Sequence, residues 1–186
     1  MATVVEEPPM LEAVLPVDQV TVLAACAAGD IASLQTIFDS AGPEGAAALC
    51  AARADGSTAD AGWGPLHVAA AAGQDAVIPI LLAAGADPDD VTADDRKWTA
   101  LHAAAYHGHG GVCGVLLETG VATNAKAAKR RTALHIAAAR GHVGVCRRLV
   151  AGGADVMACD AEGATPSALA ASDDVLAVLG PQLDWD

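Results

Sequence analysis

Apolar positions in this chain fall into short, helix-length segments that recur in pairs. The first segment of each pair is rich in alanine, and three such segments read GPLHVAAAAG (64–73), TALHAAAYHG (99–108) and TALHIAAARG (132–141). The second segment carries apolar side chains at helical spacing before a glycine-containing turn, as in residues 143–153. Neither helix of a pair can bury its apolar stripe alone, so the pattern predicts helix pairs that stack on one another.

The segment boundaries carry recognised signals for the start and the end of a helix. Thr132 can cap a helix that ends near Gly141. The sequence Gly-Ala-Asp at 153–155 then turns the chain after the second helix. The units at 64–87 and 99–122 show the same order of signals, so we expect three helix pairs of similar construction.

The repeated histidine defines the period. His67, His102 and His135 are separated by 35 and then 33 residues. A period of that length with T-P-L-H-x-A-like text is typical of stacked helical hairpins. On these residues the chain resembles the ankyrin repeat proteins over roughly 17–180. The resemblance implies an all-α fold, an ankyrin repeat solenoid of stacked helix-turn-helix units joined by β-turn or hairpin loops.

The resemblance implies about five repeats, of which three are strong and two are terminal caps. Gly29 and Gly73 are 44 residues apart, about 11 beyond one repeat, so we expect an insertion whose first half extends a helix. Pro79 falls inside the second helix of its repeat and predicts a local kink. The expected organisation is a flexible segment at 1–16, one repeat domain at 17–180 and an acidic tail at 181–186. Within the domain we expect a cap at 17–42, the insertion at 43–61, repeats at 62–95, 96–128 and 129–160, and a cap at 161–180.

Composition limits both the core and the partners. Aromatic residues are only 3% of the chain, so small side chains must let the helices approach closely. The net charge of −13 argues against nonspecific binding of nucleic acid or anionic membranes by the molecule as a whole. The charge is uneven, however: 1–95 has 15 acids and one base, 96–148 has nine bases and one acid, and 149–186 has seven acids and no base. A basic centre therefore lies between acidic ends.

The N-terminus and the cysteines indicate a reducing compartment. Glu6 and Glu7 stand where a signal peptide needs a basic flank and an apolar run. Uninterrupted apolar stretches stay shorter than the roughly 18 residues of a membrane span. The five cysteines are odd in number and include no CxxC pair. We expect a cytoplasmic or nuclear monomer that binds a protein partner, with no direct nucleic acid and no membrane.

The residues that invite a catalytic or metal-binding interpretation fit structural roles better. The resemblance gives His67, His102 and His135 the task of bonding to the backbone of neighbouring loops, and gives His109 and His142 a structural role as well. No paired H-x-x-x-H motif or Cys/His cluster suits a metal. The sequence also lacks a Ser-His-Asp order and a glycine-rich phosphate loop. We therefore expect no enzyme activity, no cofactor and no metal site.

The candidate site comes from positions that the repeat leaves free. In ankyrin arrays the concave face is lined by the residue before the Thr-Pro position and by the two residues before the helix-ending glycine. Three of the chain's five aromatic residues fall at these positions, beside a cluster of basic residues in two successive turns. Tryptophan, tyrosine and arginine dominate binding energies when they are buried at an interface. The predicted partner-binding residues are Trp63, Arg96, Trp98, Tyr106, His107, Lys129, Arg131 and Arg140.

These positions leave several functions open. The leading interpretation is a non-enzymatic protein-protein interaction module that binds an acidic or aromatic-anchored segment in its concave groove. An alternative is a small acidic chaperone or assembly factor for a basic client, such as a ribosomal or nucleic-acid-binding protein. A third is a modified regulatory subunit, because Asn124 lies in a loop where ankyrin proteins can be hydroxylated. For the tryptophans, the competing interpretation is that their rings cover adjacent turns or lie beneath the insertion.

Overall fold

The computed structural model of the protein describes residues 19–53 and 62–180. The expected N-terminal segment at 1–16, the acidic tail at 181–186 and the end of the insertion lie outside these residues. Within them the regular structure is entirely helical, as predicted. The α-helices are α1 Gln19–Ala28, α2 Ile31–Cys50, α3 Pro65–Ala71, α4 Ile78–Ala83, α5 Ala100–His107, α6 Gly110–Glu118, α7 Ala133–Arg140, α8 Val143–Ala151 and α9 Asp173–Leu179, with a 3-10 turn at Ala128–Arg130.

The helices form two layers. The first helices of successive pairs contact one another in the order α1, α3, α5 and α7, and the second helices do so in the order α2, α4, α6, α8 and α9. Fully buried alanines lie between the helices of the first layer, and they include Ala69, Ala70, Ala103, Ala104, Ala137 and Ala138. The second helices contribute larger apolar side chains to the core, and Leu81, Leu116 and Leu149 among them are fully buried. The small residues allow the close helix approach that the composition requires.

The predicted helix boundaries are confirmed in the strongest repeat. Helix α7 begins at Ala133, directly after Thr132, and ends at Arg140. Gly141 then adopts a left-handed conformation with φ 75, which favours glycine because it has no Cβ. Helix α5 ends in the same way at Gly108. The first helix of the hairpin therefore begins and ends where the capping residues of the sequence predict.

Two local expectations have different outcomes. Helix α2 continues to Cys50 across a kink at Gly42 (φ 69, ψ 176), so the first half of the insertion does extend a helix. The kink expected at Pro79 is wrong. Helix α4 begins only at Ile78, which places Pro79 in its first turn, where a missing backbone N–H breaks no helical hydrogen bond.

Candidate functional site

The repeated histidines connect each turn to the next. Nδ1 of His135 accepts hydrogen bonds from the backbone N–H of Thr132 (3.2 Å) and from its hydroxyl (2.8 Å). Since a backbone N–H can only donate, the ring proton is on Nε2, which donates to the carbonyl oxygen of Ala164 (3.1 Å). His102 bonds in the same way to Thr99 and to the carbonyl of Arg131. Both ring nitrogens are occupied, so these side chains are structural.

Burial keeps these imidazoles neutral. It lowers the pKa of His102 to about 4, and it is the main cause that also lowers the pKa values of His67 and His135. His109 and His142 make a second set of contacts, donating from Nε2 to the carbonyl oxygens of Ala71 (2.9 Å) and Tyr106 (3.1 Å) in the preceding repeat. The histidines thus join each repeat to its neighbours in both directions.

In the first full repeat, different residues make the contacts that the threonine and histidine make elsewhere. Its threonine position is Gly64, and a Cβ added there would lie 2.8 Å from Nη1 of Arg53. The Arg53 guanidinium, held by an ion pair with Asp90, fills the space of the missing side chain. His67 accepts from the Gly64 N–H at Nδ1 and contacts the carbonyls of Asp90 and Trp98 through Nε2. Arg53, three residues beyond the end of α2, therefore completes this turn.

Backbone hydrogen bonds set the spacing of the turns that carry the candidate site. The N–H of Ala128 donates to the carbonyl of Arg96 (2.8 Å), and the N–H of Ala161 donates to the carbonyl of Lys129 (2.8 Å). These bonds involve no side chain. Arg96 and Lys129, which occupy equivalent positions in successive turns, are therefore held in register by main-chain bonds in addition to the histidine contacts.

One equivalent position is left-handed in every turn, and in the turn at 128–131 the preceding residue, Lys129 (φ 56), is left-handed as well. Glycine occupies the equivalent position in the outer turns, at Gly62 (φ 81) and Gly163 (φ 82). In the two central turns it is occupied by Lys97 (φ 51) and Arg130 (φ 57), both of which are exposed. A side chain with a Cβ is strained in this conformation by about 1 kcal/mol or more. The two central turns thus carry a basic side chain at a position where glycine would be relaxed.

The aromatic residues form a continuous row. The Trp63 and Trp98 rings have centroids 6.2 Å apart, and Trp98 is 4.9 Å from Tyr106. The row continues to His107, whose ring meets the edge of Tyr106 at 5.1 Å. Trp63 is only 2% exposed, which agrees with the competing interpretation for this residue. In this arrangement Trp63 packs beside the Trp98 ring at a tilted angle and presents little surface of its own.

Two arginines cover this row. The Arg96 guanidinium lies 4.9 Å from the centre of the Trp98 ring and 5.2 Å from that of Trp63. The Arg140 guanidinium lies 3.6 Å from the centre of the Tyr106 ring. A cation over an aromatic face is attracted by the ring quadrupole. The protein's own cations therefore already occupy faces of this row.

Several candidate cations also have acidic neighbours. Nε of Arg131 lies 3.3 Å from the buried Asp160 carboxylate, and Arg96 pairs with Asp94 at 2.6 Å. Burial raises the pKa of Asp160, but bonds from the backbone N–H groups of Glu162 and Ala164 and from Arg131 outweigh it, so the pKa is lower than usual. Arg131 is thus partly a structural residue that anchors the following turn.

Most of the predicted residues line one groove, which we call the inner groove. Its volume is about 480 Å³. Its lining consists of Asp95, Arg96, Trp98, Tyr106, Ala128, Lys129, Arg131, Ile136, Ala139 and Arg140. Of the eight predicted residues, Trp63 lies beneath the groove and His107 lies at the end of the aromatic row. Ile136 was missed by the sequence analysis, although its signal was a large side chain where the equivalent α5 position is Ala103.

The fold and this site define a solenoid of helical hairpins with an open groove across its turns. A family model described as ankyrin repeats (3 copies) matches residues 22–127, and a second, described as ankyrin repeats (many copies), matches residues 116–170. The chain therefore belongs to the ankyrin repeat family. Ankyrin repeats are in general protein-protein interaction modules. A comparison with curated proteins gave no match.

Two searches of the described residues bear on other kinds of site. Across 19–53 and 62–180, histidines, cysteines and acids do not gather in groups of three or more that could hold a metal ion. In the same residues, every helix is too short or too polar to cross a membrane.

Proposed function

We propose that the protein is a non-enzymatic interaction module that binds an acidic segment of a partner protein in the inner groove. The observation that carries this proposal is the pairing of an aromatic floor, Trp98 and Tyr106, with the guanidinium groups of Arg96 and Arg140 above it. Such surfaces combine the residue types that contribute most to protein interfaces. In ankyrin arrays the positions that line this groove belong to the concave face.

The charges around the groove favour an acidic ligand. Arg96 and Arg140 already stack on the aromatic faces, so a cationic side chain of a partner would meet repulsion there. A carboxylate instead can bond to the edge of the exposed Arg140 guanidinium while the stacking is retained, whereas Arg96 is already paired with Asp94. The apolar floor that includes Ile136 suits one apolar or aromatic anchor beside the carboxylates.

The left-handed basic residues give independent support. Lys97 and Arg130 hold strained conformations in the turns beside the groove, where glycine occupies the equivalent outer positions. Strain of this kind persists where the surrounding structure enforces it, and it clusters at functional sites. A binding role for two exposed cations explains why the relaxed residue is absent.

The test is selection from a library of short random peptides by the immobilised protein. We expect enriched peptides with several Asp or Glu residues beside one large apolar residue, and weakened binding by Trp98→Ala and Arg140→Gln. Arg147→Gln is the matched control, because it removes the same charge from an exposed position on α8. Affinity unchanged in both groove variants would refute the proposal. If basic peptides were enriched and their binding were weakened by Trp98→Ala and Arg140→Gln, the chaperone for a basic client would be favoured instead.

A further inference from the structure

We propose that a second surface, between α2 and α4, binds a cationic amphipathic helix of a partner protein. We call it the outer groove, because it lies in the layer of second helices and shares no residue with the inner groove. It goes beyond the function proposed above and does not depend on it. Its volume is about 700 Å³.

The insertion creates this groove. Helix α2 bends at Gly42 and continues through Pro43 to Cys50, so its second half runs beyond the length of a standard repeat helix. The continuation passes close to the end of the next repeat, since a Cβ added at Gly85 would lie 3.3 Å from the Cβ of Ala47. The two helices thus meet at one end and leave an open trough along the rest. Gly42 lines the open part, where an added Cβ would meet nothing within 4 Å.

The lining of the outer groove suits the apolar face of a helix. The larger apolar side chains of the lining are the half-buried Ile80 and the edge of Phe38, which is 9% exposed. Between them lie the small side chains Ala46, Ala47 and Ala84. Small residues let two helices approach closely, as they do between the protein's own first helices. Binding of an amphipathic helix in an apolar groove is a recurring mode of peptide recognition.

The acidic residues at the rim of the groove determine which charge a partner must carry. Asp39 lines the groove, and Glu44 is exposed on the same stretch of α2. Residues 19–52 contain three acids and no Lys or Arg. An apolar helix with basic flanks would therefore complement this surface, whereas an acidic helix would be repelled.

The chain's own ends have the wrong charge to fill the groove. Residues 1–18 contain the four acids Glu6, Glu7, Glu12 and Asp18 and no Lys or Arg. The segment 181–186 contains two acids and no base. Charge complementarity thus favours a basic partner over either of these two segments.

The first test uses a synthetic helical peptide of Leu and Lys, labelled with a fluorophore and arranged so that one face is apolar. We expect it to bind the full chain, measured by fluorescence anisotropy. A peptide of the same composition but scrambled order should bind about tenfold more weakly, because it lacks an apolar face. Equal binding of the scrambled peptide, or of a Leu and Glu analogue, would overturn the proposal.

Variants locate the binding site. Asp39→Lys should weaken the binding of the Leu and Lys peptide by about tenfold, because a like charge then faces the peptide. Glu118→Lys makes the same charge change at the exposed end of α6 and should leave affinity nearly unchanged. Ala83→Trp should also abolish binding by filling the groove, while circular dichroism confirms that the fold is retained. Equal loss in Asp39→Lys and Glu118→Lys would show only general attraction to an acidic protein and would refute the site.

Two further variants test whether the peptide binds elsewhere on the protein and whether residues 1–18 compete with it for the outer groove. Trp98→Ala should leave binding of the Leu and Lys peptide unchanged, because Trp98 lies in the inner groove. Deletion of residues 1–18 should also leave it unchanged. A large gain in affinity after that deletion would overturn the proposal, since it would identify the N-terminal segment as the occupant of the outer groove.

Discussion

The guanidinium group of Arg140 lies 3.6 Å from the centre of the Tyr106 ring. The two side chains come from the ends of the first helices of consecutive repeats, α7 and α5. The contact therefore links two repeats on the face that we propose for binding. It also holds Arg140 with its edge available to an anion, so that the binding group is ordered before a partner arrives.

This contact predicts a measurable coupling between the two residues. A double-mutant cycle with Arg140→Gln and Tyr106→Leu should give an interaction free energy of about 0.5 to 1 kcal/mol, the range for an exposed cation–π pair. Unfolding in urea, followed by circular dichroism, measures it. The same cycle with Arg147→Gln in place of Arg140→Gln should give no coupling. Strict additivity in the first cycle would contradict the proposed contact.

The left-handed turns predict opposite effects on stability and binding. Lys97→Gly and Arg130→Gly should each stabilise the fold by about 0.5 to 1 kcal/mol, because relief of strain exceeds the entropy cost of glycine in the unfolded chain. Both variants should bind acidic peptides more weakly. Chemical denaturation and peptide titration measure the two effects.

The control for the turn variants is Lys126→Gly. Lys126 is exposed in the same basic region but is not among the residues with positive φ. Glycine there should give no stabilisation. If Lys126→Gly stabilised the protein as much as Lys97→Gly, strain would not be the cause.

The buried imidazoles predict loss of stability in mild acid. In the unfolded chain a histidine has a pKa near 6.5, whereas burial lowers that of His102 to about 4. Between these values the unfolded state binds the proton and the folded state does not, so the free energy of unfolding falls as the pH falls from 6.5 to 4. His102 alone contributes a loss of about 3 kcal/mol.

Thermal unfolding between pH 8 and pH 4 tests this expectation. The carboxyl groups of Asp94 and Asp160, whose pKa values are lowered, should lose their stabilising effect only at still lower pH. His102→Gln should be less stable at pH 8 and should show a smaller decline between pH 6.5 and pH 4. A flat profile for the unmodified protein over that range would disprove the neutral buried imidazole.

The turn completed by Arg53 predicts a compensating pair of mutations. Gly64→Thr should destabilise the protein by about 1 kcal/mol, because its Cβ would lie 2.8 Å from Nη1 of Arg53 and would disturb the ion pair with Asp90. In an Arg53→Ala background the same change should stabilise, since the threonine hydroxyl can then bond to Nδ1 of His67. Denaturation of the four proteins measures the change of sign. If Gly64→Thr changed the free energy of unfolding in the same direction in both backgrounds, Arg53 would not be filling the space of the missing threonine side chain.

The sequence predicted the fold well because the repeat fixes it locally. The positions of Thr132, His135 and Gly141 determine a helix start, a loop contact and a helix end, and each depends only on neighbours in the same or the next repeat. Repeat periodicity therefore carries most of the architectural information. The same periodicity placed Trp98 and Arg140 on one surface, where both line the inner groove.

The sequence could not predict contacts that cross irregular parts of the chain. Arg53 lies within the insertion, which has no counterpart in the other repeats, so its place beside Gly64 has no periodic signal. Trp63 occupies the same position as Trp98, yet the stacking of Arg96 on both rings and the packing of Trp63 into the core leave it buried. Pro79 was misjudged because its helix begins later than the period suggested.

The hydrogen bonds between successive turns have a consequence for the evolution and engineering of this protein. They join main-chain atoms, such as the Ala128 N–H and the Arg96 carbonyl, and so they persist whichever side chains the turns carry. The main chain thereby fixes much of the spacing between the side chains that we propose for recognition. Side chains at positions such as 98 and 140 can be exchanged with less effect on that spacing than Arg131, which also anchors the following turn through Asp160.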